Sequence, residues 1–140
     1  LRRAKKLIIY ADGAIRSNPE ATGLALIIKD ERGRILEWPT KIIGKLTCNE
    51  AEYEALIFAL ERARKYRPHE VYIYLDSQVV VNQVKGIFGV RSPALRELHV
   101  KARLLMREFP KATITYIPRW RNRLADALAN EAVDREKRKG

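Results

Sequence analysis

The chain has 140 residues, 46% of them hydrophobic, with 28 Lys and Arg against 17 Asp and Glu for a net charge of +11. That length suits one domain with a true core, and the hydrophobic share excludes a disordered chain. A single cysteine, Cys48, excludes an internal disulfide framework and a cysteine-based zinc site, while the basic excess favours a polyanionic partner, nucleic acid above all.

The start, Leu1-Arg2-Arg3-Ala4-Lys5-Lys6, is basic and leads into a strand without a signal-peptide pattern. No apolar run approaches the ~20 residues that span a bilayer. A cytoplasmic protein with no membrane association is therefore expected, with residues 1–140 forming one domain and its basic ends, about 1–5 and 136–140, flexible. The run Leu7-Ile8-Ile9-Tyr10-Ala11 reads as a strand covered on both faces. It ends in Asp12 and Gly13, a carboxylate at the tip of a buried strand, which is costly unless a cation meets it.

After the turn-rich Arg16-Ser17-Asn18-Pro19-Glu20, a second strand covers Gly23–Ile28 and closes at Asp30-Glu31-Arg32-Gly33. A third, from Ile35 to about Leu46, contains Pro39 and is expected to bend or lie at an edge. Helical periodicity follows from Cys48 to about Tyr66, with Thr47 or Asn49 as cap. A fourth strand, Val71–Leu75, ends in Asp76-Ser77; helices are expected at Gln78–Lys85 and Ala94–Glu108. A fifth strand at Ala112–Ile117 leads through Pro118-Arg119-Trp120-Arg121 into a last helix from Asn122 to about Arg135. This order predicts a five-stranded mixed α/β sheet, three strands joined by hairpins and two reached through helical crossovers. Sites in such sheets form beyond the carboxyl ends of the parallel strands.

Three further acids stand where charge needs a reason. At 3.6 residues per turn Glu52 aligns with Ala55, Leu56, Ala59 and Ala63 on the apolar stripe, whereas Glu50, Glu54 and Glu61 face away. Asp126 shares a helix face with Asn122, Ala129, Asn130 and Val133, and Asp76 shares a strand face with Tyr72 and Tyr74. Each acid alone would also serve as a cap or as partner to a basic residue. Four converging carboxylates repel one another unless a cation sits among them, and oxygen ligands without His or Cys select Mg²⁺ or Mn²⁺. Two such ions are expected, as in phosphoryl transfer.

Four stretches together carry a resemblance: Tyr10-Ala11-Asp12-Gly13, Thr47-Cys48-Asn49-Glu50-Ala51-Glu52-Tyr53, Leu75-Asp76-Ser77-Gln78 and Asn122-Arg123-Leu124-Ala125-Asp126. They resemble the ribonuclease HI (type 1 ribonuclease H) family over about Lys6 to Val133. The resemblance implies a ribonuclease H-like fold with helices on both faces of the sheet. It also implies a monomeric endoribonuclease that cuts the RNA strand of RNA/DNA hybrids and leaves 5′-phosphate and 3′-hydroxyl ends. Asp12, Glu52, Asp76 and Asp126 match the family's metal-binding acids; Asn18, Asn49 and Gln78, with backbone groups of Gly13, match minor-groove contacts; Thr47 matches a phosphate contact on the DNA strand. Cys48 replaces a second Asn, and a small, buried or partly buried side chain is expected there. The loop His of many bacterial members is absent, so the chain resembles the archaeal-like subgroup, in which cleavage of double-stranded RNA is also plausible, and Arg119 or Arg121 is a candidate phosphate contact. The basic protrusion of some members is missing too, since only Lys85–Arg91 separates the middle helices. Trp38, Trp120 and Phe88 are expected to pack in the core or at its rim. A non-catalytic hybrid-binding module and another nuclease of the same fold are the competing classes.

Overall fold

The computed structural model describes residues 4–139; Arg2 and Arg3 of the expected amino-terminal tail, and Gly140, lie outside the described residues. Strand β1 (Lys6–Ser17) pairs antiparallel with β2 (Glu20–Lys29), and β2 pairs antiparallel with two short strands, β3 (Ile35–Glu37) and β4 (Thr40–Ile43). On its other edge β1 pairs parallel with β5 (Glu70–Leu75), which pairs parallel with β6 (Lys111–Tyr116). The sheet order is β3-β2-β1-β5-β6, with β4 joined to β2 off that path. The expected third strand is thus broken into two at Trp38-Pro39, because proline has no N–H to give to the ladder.

Helix α1 (Cys48–Ala63) runs on into a 3₁₀ turn at Arg64–Tyr66; α2 (Gln78–Val84) and α3 (Pro93–Met106) follow β5, and α4 (Arg123–Lys139) follows a second 3₁₀ turn at Arg119–Arg121. Alternate residues of β1, Leu7, Ile9 and Ala11, bury against α1 together with Leu56, Leu60, Ile73 and Leu75 in the main core. On the opposite face α4 seals a small cluster of Ala14, Ala21, Ala25, Ala129 and Val133. Small side chains let that helix lie close. A Cβ on Gly23 would stand 2.6 Å from the Ala129 carbonyl oxygen. Gly23→Ala is therefore expected to push α4 outward and lower stability by about 1–3 kcal/mol, read as a fall in the thermal midpoint.

Several boundaries differ from the sequence reading. Strand β1 continues five residues beyond Asp12, because β2 keeps pairing with it to Ser17↔Glu20 after the parallel pairing stops at Tyr10↔Tyr74. Asp12 is therefore beyond the end of the parallel neighbour but within the hairpin, not at a strand tip. Ala4 is buried, and Lys5 accepts backbone bonds from His69 and Glu70, so the chain is docked from residue 4 onward. Helix α4 runs to Lys139, past the expected end near Arg135, with an ion pair between Glu131 and Arg135 one turn apart. Among the described residues no helix is long and apolar enough to cross a membrane.

Candidate active site

Asp12 is 1% exposed, on the β1 face that looks toward α4. Its Oδ1 accepts from its neighbour's amide, Gly13 N–H, at 2.9 Å, and that same amide lies 3.4 Å from Glu52 Oε1. Glu52 reaches this point because α1 begins there. Thr47 caps the helix by accepting from Glu50 N–H at 3.2 Å, while its own N–H donates to Glu50 Oε1 at 2.9 Å. Gly13 gives α1 its room: an added Cβ would sit 3.2 Å from Ala51 Cβ and from its carbonyl oxygen. Asp76 follows β5, one strand over. Oxygens of Asp12, Glu52 and Asp76 all lie within 4.8 Å of one another.

Asp126 lines the same cavity from α4 and reaches the Asp12 side chain, though it is not one of the three whose oxygens all lie within 4.8 Å of one another. Its Oδ1 accepts from Asn130 Nδ2 at 3.2 Å, and its carbonyl oxygen from the same nitrogen at 2.8 Å. The cavity, of about 480 Å³, also meets Gly13, Cys48, Asn49 and Arg119. Cys48 is exposed at the first position of α1, not buried or partly buried as expected, because the helix starts at the cavity mouth. Thr47 and Gln78 are exposed at the helix starts beside the site, Asn49 is half-buried, and Asn18 is exposed on the β1–β2 turn away from the cavity lining. The two loop arginines part company. Arg119 faces the acids, whereas Arg121 lines a separate pocket with Tyr10, Lys29 and Leu124. Trp38, Trp120 and Phe88 are exposed, not packed: each sits on a loop or short turn that the helices leave uncovered.

Burial, then the charges of Glu52 and Asp76, pushes the Asp12 carboxyl up to about 10. Burial also raises Glu52, with Asp76 adding to it, against a hydrogen bond with the Asp12 side chain, the Gly13 amide and the Arg119 guanidinium. Asp12 Oδ2 and Glu52 Oε2 are buried with no hydrogen-bond partner. Buried carboxylate oxygens facing one another without donors suit a hard divalent cation.

One residue of the site escaped sequence reasoning as a working part. Asn122 is 1% exposed, and its Nδ2 donates to Ala11 O at 2.9 Å and to Asp76 Oδ2 at 3.0 Å. It ties α4 to both β1 and the tip of β5 and fixes where Asp76 points. Asn122→Ala is expected to lower kcat roughly 10–100-fold, as losing the hydrogen bond that orients a candidate site acid does. It should also cost about 1–3 kcal/mol, because the Ala11 carbonyl is left buried and unpaired; steady-state kinetics and thermal unfolding of the same preparation check both.

A mixed sheet with an antiparallel hairpin at one side, two parallel strands at the other and acids gathered at their junction defines a ribonuclease H-like domain. A family model described as reverse transcriptase-like matches residues 10–132. Over 132 residues the chain is 39% identical to ribonuclease HI of Halobacterium salinarum, covering 94% of this chain and 66% of that protein. The crystal structure of RNase H1 from that archaeon superposes with a TM-score of 0.87 at 40% identity, covering 92% of this chain and 98% of that one. A structure of LC11-RNase H1 in complex with an RNA/DNA hybrid superposes at 0.85 with 38% identity, covering 93% and 98%. The chain belongs to the ribonuclease HI family. It spans just under two thirds of the Halobacterium protein and 36% of the mycobacterial relatives it matches.

Proposed function

We propose that this chain is a divalent-metal-dependent endoribonuclease that hydrolyses the RNA strand of RNA/DNA hybrids. Water attacks the phosphorus and the 3′-oxygen leaves, giving 5′-phosphate and 3′-hydroxyl ends. The observation that carries the reading is the group of buried Asp12 with half-buried Glu52 and Asp76, in which two buried carboxylate oxygens are left unpartnered. Asp12, Glu52, Asp76 and Asp126 would hold two Mg²⁺, with Mn²⁺ as the alternative. Bound there, such ions supply activation of a water and stabilisation of the leaving oxygen.

The chain's own residues do the rest. The Gly13 amide holds Asp12, Asn122 holds Asp76, and the net charge of +11 gathers the polyanion. Arg119, exposed at the rim of the acid cavity, would meet a phosphate, and Arg121, turned to another pocket, is the weaker candidate. Asn49 and the backbone of Gly13, at the cavity, would read 2′-hydroxyls in the minor groove, with Gln78 and Asn18 extending that contact outward. Thr47 would offer its hydroxyl to the DNA-strand phosphate while it caps α1. We extend the same proposal to a cytoplasmic monomer and to double-stranded RNA as a second substrate, which the cleavage assay reads.

Labelled hybrid, double-stranded RNA and double-stranded DNA of one sequence, incubated with Mg²⁺ or Mn²⁺, test the reading. Cleavage of hybrid with 3′-hydroxyl products supports it. Binding without cleavage under either ion makes the chain a binding module instead, and cleavage confined to DNA assigns it to another nuclease class.

A further inference from the structure

Of the four acids, Asp126 alone comes from α4, and its side chain is met there by a relay that begins on β1. Residues 126, 130 and 134 of α4 are four apart and so form one stripe. Arg16, four residues beyond Asp12, faces that stripe. Its Nε donates to Asp134 Oδ1 at 2.8 Å and its NH2 to Asp134 Oδ2 at 3.2 Å, a two-pronged pairing with the carboxylate. NH2 also donates to Asn130 Oδ1 at 2.6 Å, and NH1 to the Ile15 carbonyl at 3.0 Å.

A guanidinium has donors only, so the atom of Asn130 facing it must be the amide oxygen. The amide nitrogen is then forced toward α4's preceding turn, where it meets Asp126 O and Oδ1. The orientation of Asn130 is thus set by chemistry, and Asp126 Oδ1 receives its amide as a donor. We propose that Arg16 and Asn130 are positioning residues for Asp126, with Asp134 anchoring the arginine, so that one Asp126 oxygen is tied back and the carboxylate is held toward the acid cavity. All three guanidinium nitrogens of Arg16 are engaged within the protein, which favours this role over contact with a substrate phosphate.

The inference rests on the metal-dependent reading above, and a substrate-free titration separates the two. Mn²⁺ binding is measured by calorimetry for wild type, Asn130→Leu, Arg16→Lys and Asp134→Asn, beside kcat and KM on hybrid and a thermal scan in chelator. Asn130→Leu is expected to weaken Mn²⁺ roughly tenfold and lower kcat about 10–100-fold, with KM within about twofold of wild type. Arg16→Lys keeps the charge but loses the fork, and should show most of the same loss. Asp134→Asn is the variant that keeps the proposal testable if Asn130→Leu does not fold, with a loss of about two- to fivefold in Mn²⁺ affinity expected because one acceptor oxygen remains. Unchanged Mn²⁺ affinity and kcat in the folded variants overturns the relay. So does a rise in KM with a weaker salt dependence at unchanged kcat, which would place Arg16 on a phosphate. Failure of wild type itself to bind Mn²⁺ overturns the metal reading first.

Discussion

Asp12→Asn is expected to abolish cleavage and, in the absence of metal, to make the protein more stable. The carboxylate lies at the centre of the site, 1% exposed, within reach of Glu52 and Asp76. An amide of the same shape keeps one oxygen for the Gly13 N–H but removes the charge that a divalent ion needs. The loss should be on the order of 10³-fold or more in kcat, as for groups that act as a unit with their neighbours. The gain in stability comes from the other side of the same fact. At neutral pH the folded protein must either hold a proton on Asp12 against solvent or bury a third anion beside two others, and the amide does neither. A gain of about 1–3 kcal/mol follows, visible as a higher thermal midpoint in chelator. Wild-type turnover in this variant would show that the reaction does not run through Asp12; a lower midpoint would show that the buried charge had a cationic partner after all.

The acids were legible because a charge on an apolar stripe is conspicuous. Glu52 stands among Ala55, Leu56 and Ala59, all fully buried, and an anion in that row calls for a reason. The residues that hold the acids left no such mark. Asn122, Asn130 and Arg16 are polar residues in polar stretches, and nothing in their spacing says that an amide just before α4 would reach the Ala11 carbonyl or that an arginine near a hairpin would orient an amide 114 residues away. The length of β1 was hidden for a related reason. Gly13 and the turn residues after it look like an ending, and it is the antiparallel partner β2 that carries the strand on to Ser17. Pro39, by contrast, announced its break by a missing N–H. The exposure of Trp38 and Trp120 depends on which part of the sheet the helices leave open, and that is decided by topology, not by residue type.

Metal and pH should oppose each other in their effect on stability. The folded-state pKa of Asp12, and of Glu52 with it, is raised above the unfolded value. The folded protein then binds more protons than the unfolded chain, so stability falls as pH rises through this window. The other shifted groups act elsewhere. Asp30, Glu37, Glu70 and Glu108 are lowered, so what they contribute is lost only as pH falls below the ordinary carboxylate range. His99, lowered by burial, contributes stability that is lost as pH falls below the ordinary histidine value, and the raised tyrosines Tyr53 and Tyr66 weaken the fold only above about pH 10. Between about pH 7 and about pH 9 the acid nest is left to dominate. In chelator the thermal midpoint should fall across that interval in wild type and stay nearly level in Asp12→Asn. Adding Mg²⁺ or Mn²⁺ to about 100 times its dissociation constant should restore about 2.7 kcal/mol to wild type and more strongly at the higher pH, because the ion competes with protons for the same oxygens. Equal slopes in wild type and variant would mean that the nest does not carry the excess proton, and a metal effect that ignores pH would mean that the ion binds somewhere other than among Asp12, Glu52 and Asp76.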